Sequence, residues 1–163
     1  MNWQPIRPSR RFALPSNRVP AGAAPALARA RRAPEAPWAE LQRSRLRSLL
    51  GVGPLAALAT SLAAATLGAS TIKTYKSHWI SFEEFCRAQG LCALPATPET
   101  VVLYVTNLYQ RRTVHPDNLQ PYLSAINTAH RHVMLTAEGP ASGPLLDAVR
   151  RGWRRMLNAE PHA

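Results

Sequence analysis

From residue 54 onward, apolar positions return at steps of three and four, the spacing that lines one side of an α-helix. No stretch alternates with the period of two that a half-buried strand requires. Residues 70–89 give the clearest case. Ile72, Tyr75, Trp79, Phe82 and Cys86 fall within about 80° of arc at 100° per residue. Lys73, Thr74 and Ser77 stand opposite, with Lys76 on the flank. Ser70 or Thr71 supplies the cap and Gly90 the stop. Before it, residues 54–67 predict a helix with Pro54 in its first turn, Gly68 as its stop, and Leu55, Leu58, Leu62 and Leu67 as its inner side.

Three more helices follow. Thr97-Pro98-Glu99 reads as cap, first-turn proline and an acid at the positive helix end, opening a helix that carries Val101, Val102, Val105 and Leu108 to about Arg111. The next begins between Pro116 and Leu119. Pro121 is tolerated there because first-turn amides have no intrahelical acceptor. Its inner side is Leu119, Leu123, Ile126, His130 and Val133; its outer side is Gln120, Ser124, Asn127, Thr128 and Arg131. The last, residues 143–157 with Ser142 as cap, places Leu145, Leu146, Val149, Trp153, Met156 and Leu157 on one side. Arg150, Arg151, Arg154 and Arg155 take most of the other.

The first 37 residues break this regularity. Seven prolines interrupt an Arg-, Ala- and Ser-rich run, removing backbone donors and turning their predecessors away from helix. Few large apolar side chains offset the entropy of ordering, so this stretch reads as a disordered basic arm. Residues 38–50 predict a short helix with Leu46, Leu49 and Leu50 on one side, ended by Gly51, Gly53 and Pro54. The expected organisation is an arm at 1–37, a short helix and linker at 38–53, a helical domain at 54–157 and a tail at 158–163. The expected fold is all-α, a compact bundle of four to five short helices behind the disordered arm.

Charge is placed unevenly. Residues 1–50 hold ten arginines against Glu35 and Glu40, whereas residues 51–163 hold ten cations against seven carboxylates. Lys73 and Lys76 are the only lysines; arginine's planar fork of donors suits phosphate. A polyanion is therefore the natural partner of the arm. Residues 48–72 carry no charge and are long enough to span a bilayer. They are built mostly of alanine and broken by glycine and proline, which argues against a span. The Arg-rich, acid-poor leader also fits an organelle transit peptide. Cys86 and Cys92 form no zinc spacing and read as reduced thiols of an intracellular protein.

Catalytic motifs are missing: no GxSxG, no HExxH and no phosphate-cradling glycine loop. His130 and His132, two residues apart on a helix, point to different faces and cannot share an ion; His130 reads as a hydrogen-bonded core histidine. No cofactor or metal is expected. Two polar helix faces carry better chemistry for duplex DNA. Lys73, Thr74, Lys76 and Ser77 offer charge and hydroxyls, and Gln120, Ser124, Asn127 and Arg131 offer groups able to read base edges. The set Arg150, Arg151, Arg154 and Arg155 could clamp a backbone. Solvated helix faces, which every bundle has, look the same on composition alone.

Residues 70–108, STIKTYKSHWISFEEFCRAQGLCALPATPETVVLYVTNL, resemble the core-binding domain of tyrosine recombinases, the phage-integrase and Cre-like family. The resemblance continues through YLSAINTAHRHV and LLDAVRRGWRR and covers about residues 54–157. It implies one half of a clamp around duplex DNA, with the second and fourth helices of the domain against the major groove and helices at its two ends in subunit contacts. By position, Lys73, Thr74, Ser77, Gln120, Pro121 and Ser124 look like contacts. Asp117 departs from the pattern, standing where Cre-like proteins can have a cation. The family's strand-cleaving Tyr, its arginines, its Lys and its His-x-x-Arg box belong to a separate C-terminal domain. Tyr75, Tyr104, Tyr109 and Tyr122 all fall inside the bundle instead. The expectation is a non-catalytic DNA-binding module in the nucleus or nucleoid, partnered by double-stranded DNA and by a recombinase-like protein or itself. The alternatives are a helical protein-interaction module and an organelle-targeted basic protein.

Overall fold

The structure, a computed structural model, describes residues 34–160. The basic arm lies outside the described residues up to position 33, as do residues 161–163. Among the described residues the fold is all-α. Six α-helices run α1 (Ala39–Leu50), α2 (Pro54–Ala64), α3 (Ala69–Gln89), α4 (Pro98–Arg111), α5 (Gln120–Met134) and α6 (Pro144–Ala159), with a 3-10 turn, Pro116–Asn118, before α5. No strand is present among them.

The core forms where α3 and α5 pack, with α4 and α6 pairing beside them and α1 lying on α5. Trp79, Phe82 and Cys86 from α3 meet Val101, Tyr104, Val105 and Leu108 from α4. Leu123, Ile126, Ala129 and Val133 come from α5, and Leu146 and Trp153 from α6. The apolar stripes of the central helices are thus the buried ones, although Tyr75 is only partly covered. Phe82 and Tyr104 meet edge-on at 5.2 Å, as do Tyr109 and Trp153 at 5.5 Å, arrangements that favour the aromatic quadrupoles. Thr97 caps α4 through its hydroxyl, which accepts from the Thr100 amide at 3.2 Å.

Several expectations need correction. Gly68 does not stop α2; it is the N-cap of α3, whose first helical residue is Ala69, so neither Ser70 nor Thr71 is the cap. Ser142 does not cap α6 either. Its hydroxyl donates to the Gly139 carbonyl, and Gly143 holds the N-cap position. Leu55 and Leu62 on α2 are 82% and 66% exposed, and α2 buries nothing. Leu49 and Leu50 on α1, and Leu145 and Met156 on α6, are also exposed. Spacing marks the apolar side of a helix, but burial needs a neighbour to receive it, and α2 packs mainly on α1.

Trp38 supplies the opposite correction. It precedes α1 and is 1% exposed, edge-on to Trp79 at 5.8 Å. The start of α1 therefore shares the core with α3 and α5. Arg43 holds the entering chain, pairing with Glu35 at 2.9 Å and Glu40 at 2.8 Å.

Candidate nucleic-acid interface

The residues singled out for DNA fall into separate groups. Lys73 and Lys76 are exposed on α3. With Ala69, Ser70 and Ile72 they border a recess whose other wall is Pro34 and Glu35. Thr74 and Ser77 are exposed as well, but their hydroxyls donate back to the helix, to the carbonyls of Ser70 at 3.2 Å and Thr74 at 3.0 Å. Their oxygens stay open as acceptors, the polarity that suits a base amino group better than a phosphate.

A second group surrounds the start of α5. Gln120 donates its side-chain amide to the Ser124 hydroxyl at 3.3 Å, leaving its carbonyl oxygen outward. The 3-10 turn just before it brings Asp117 to Arg154 of α6, with Nε 3.2 Å from Oδ1. The acid at position 117 is thus matched by a cation from another helix. His115 fixes that turn: its Nδ1 accepts from the Asp117 amide at 3.3 Å.

The two groups are joined through ring stacking. His78 on α3 lies over Tyr122 on α5, centroids 3.8 Å apart and planes tilted by 33°. Thr74, one turn from His78, shares its side of α3. Lys73 lies about 140° round the helix from His78 at 100° per residue and turns toward Pro34 and Glu35. No hydrogen bond or ion pair links Lys73 or Lys76 to Gln120 or Ser124 among the described residues.

Asn127 is tied to a neighbouring loop. Its amide nitrogen donates to the Ala141 carbonyl at 3.2 Å and its oxygen accepts from the Ala141 amide at 2.8 Å. This two-way bond holds the loop between α5 and α6. Thr128, also placed on the outer side by its spacing, is buried because α1 packs on α5. Arg131 is exposed and donates to Thr128 at 3.4 Å. On α6, Arg151 and Arg155 are exposed, and Arg154 is tied to Asp117. Arg150 is half-buried, its Nε without a partner.

His130 is the core histidine its position on the apolar stripe implies. Its Nδ1 donates to the Ile126 carbonyl at 2.8 Å and its Nε2 accepts from the Ala96 amide at 2.8 Å, an arrangement of the neutral ring. Burial pushes its pKa down, and does the same to His78 and His132. His132 receives the Trp38 indole N–H at 3.4 Å. Tyr104 donates to Ser81 at 2.9 Å, and burial raises its pKa to about 12. Burial likewise pushes the Cys86 thiol up to about 11. Among the described residues no cluster of three or more His, Cys, Asp or Glu could hold a metal ion. No single helix among them is long and apolar enough to cross a membrane; the uncharged stretch runs from the end of α1 through α2 into α3, and α2 and α3 meet at 78°.

No family model matches the chain. It is 41% identical over 39 residues to the integrase/recombinase xerD homolog of Selenomonas ruminantium, a match covering 24% of this chain and 11% of that protein. The relationship to tyrosine recombinases is therefore local. The matched segment is a small part of a much longer relative.

Sequence reasoning missed Trp38 and Asp117–Arg154 as organising contacts. Trp38 sits next to a proline-rich run and has no periodic apolar partners before it. The Asp117–Arg154 pair joins residues far apart in sequence, and neither one's local context announces the other.

Proposed function

We propose that this chain is a DNA-binding module related to the core-binding part of tyrosine recombinases, acting by holding duplex DNA and not by cleaving it. The observation that carries the reading is the local identity to a recombinase. Five of the cations without carboxylate partners among the described residues support it: Lys73, Lys76, Arg131, Arg151 and Arg155. In this reading α3 contributes Lys73, Lys76, Thr74 and Ser77, and the start of α5 contributes Gln120 and Ser124. Arg131 and the α6 arginines bind backbone, and Asn127 serves only to fix its loop. Strand cleavage belongs to the family's separate catalytic domain. A site of action in the nucleus or nucleoid follows.

Fluorescence anisotropy with a labelled random-sequence duplex tests it. Binding at 50 mM salt should weaken several hundred-fold at 200 mM if about five phosphates are contacted. Replacing Lys73 and Lys76 by alanine should weaken binding and flatten the salt dependence by about 0.9 in slope per phosphate lost. Absence of binding at 50 mM salt would remove the reading.

A second reading, a helical protein-interaction module, draws on α2. Its exposed leucines, Leu55, Leu58 and Leu62, form an uncharged apolar strip with no partner among the described residues. Association seen by light scattering at 500 mM salt and abolished by Leu55→Gln with Leu58→Gln would favour it, since apolar contacts survive screening that dissolves phosphate contacts.

A further inference from the structure

We propose that Asp117 regulates the duplex-binding surface as an internal stand-in for phosphate, holding Arg154 until a nucleic-acid backbone takes its place; the inference rests on the DNA-binding reading above. The carboxylate and the guanidinium meet through one bond, Arg154 Nε to Asp117 Oδ1 at 3.2 Å. The terminal nitrogens of Arg154 make no hydrogen bond among the described residues. Both partners face solvent, with side chains 66% and 48% exposed. Solvent-exposed pairs of this kind are weakly held and screened by salt. A phosphate offers the same guanidinium two acceptors in the fork geometry it prefers, so exchange of one anion for the other is favourable.

Position makes the exchange matter. Asp117 stands three residues before Gln120, in a 3-10 turn whose Pro116 is buried and whose His115 ring accepts from the Asp117 amide. The carboxylate is therefore held at the start of α5 and not swept freely through solvent. While it is there, it places a negative charge where a backbone would approach Gln120 and Ser124. It also neutralises the one α6 arginine that carries an ion pair among the described residues. A duplex would have to displace it. Binding at this end of the surface would then depend on Arg154 changing partner, making contact there weaker and less salt-sensitive than the number of arginines suggests, because salt also loosens the internal pair that must be broken.

Asp117→Asn keeps the side-chain shape and removes the charge. By anisotropy at 50 mM salt, this variant should bind the duplex roughly 3- to 10-fold more tightly than the parent, with the salt slope steeper by up to about 0.9, because the Arg154–phosphate contact no longer replaces an internal pair that salt also loosens. Glu138→Gln removes one negative charge from an exposed loop and reports the effect of net charge alone. In an Arg154→Gln background, the gain from Asp117→Asn should shrink to the size of that control. An Asp117→Asn gain no larger than Glu138→Gln, or one that persists without Arg154, overturns the proposal while leaving duplex binding intact. If neither the parent nor Asp117→Asn binds duplex at 50 mM salt, the DNA-binding reading itself fails and the inference goes with it. Equal thermal midpoints for the variants, followed by circular dichroism, confirm that folding is not what is being read.

Discussion

At the scale of single residues, Asn127 shows how tertiary contacts reassign a polar side chain. Its spacing on α5 marks an outward position, yet the amide is consumed by the Ala141 backbone. Gly139 makes this approach possible: a Cβ built there would lie 2.6 Å from the Asn127 Cα, a backbone atom that cannot step aside. Gly139→Ala should therefore destabilise the protein by about 1–3 kcal/mol, the range for forcing an extra carbon into a packed contact. Urea unfolding would check it, and an unchanged midpoint would show that the loop does not close on α5 as described. The same reading of exposure moves Asp117 from a misplaced acid to one half of a pair. Thr97, by contrast, needed no tertiary information: cap, proline and acid in succession state their purpose locally, and the hydroxyl accepts the Thr100 amide.

Among the elements, α1 and α2 exchange the roles their sequences suggest. The leucine-bearing α2 is a helix by propensity and first-turn proline, but packing on α1 buries none of its residues. α1 is poorer in apolar residues, yet Trp38, Ala39, Gln42 and Leu46 are covered at its N-terminal part and along its inner side. Substitutions should sort accordingly. Leu55→Gln and Leu62→Gln should each change stability by no more than about 0.5 kcal/mol, as exposed positions do. Trp38→Ala should cost about 3–5 kcal/mol through the cavity left beside Trp79. Chemical denaturation of the three variants decides this, and a large loss at Leu55 would mean that α2 is covered after all. For α3, α4 and α5 the apolar spacing was enough, because helices with wide apolar stripes have few ways to hide them except against each other.

For the whole molecule, acidity should loosen the fold. Burial lowers the pKa of His78, His130 and His132, so the folded chain resists protonation that the unfolded chain accepts at an ordinary value of about 6.5. Their contribution is therefore complete above that value and is lost as pH falls below it through the folded values. His132 adds a specific reason: protonated, its Nδ1 can no longer accept the Trp38 indole N–H. Urea midpoints measured at pH 7.5, 6.5 and 5.5 should fall in that order, and a midpoint that rises toward pH 5.5 would contradict the burial of these rings. The charge of the whole molecule, +11, favours polyanions at long range. It does not choose a surface, and the described cations divide among α1, α3, the end of α4, the last turn of α5 and α6.

By itself the sequence determined the helical class, the positions of α3 to α6 to within a few residues, and the side each of α3, α4 and α5 turns inward. These follow from periodicity, capping and proline, which act between residues a few places apart. Only the tertiary structure decided that Trp38 belongs to the core, that α2 is left uncovered, that Asn127 is occupied and that Asp117 meets Arg154. Each depends on which distant surface arrives beside a residue. That is settled by the summed burial of the whole chain, and local pattern carries no record of it.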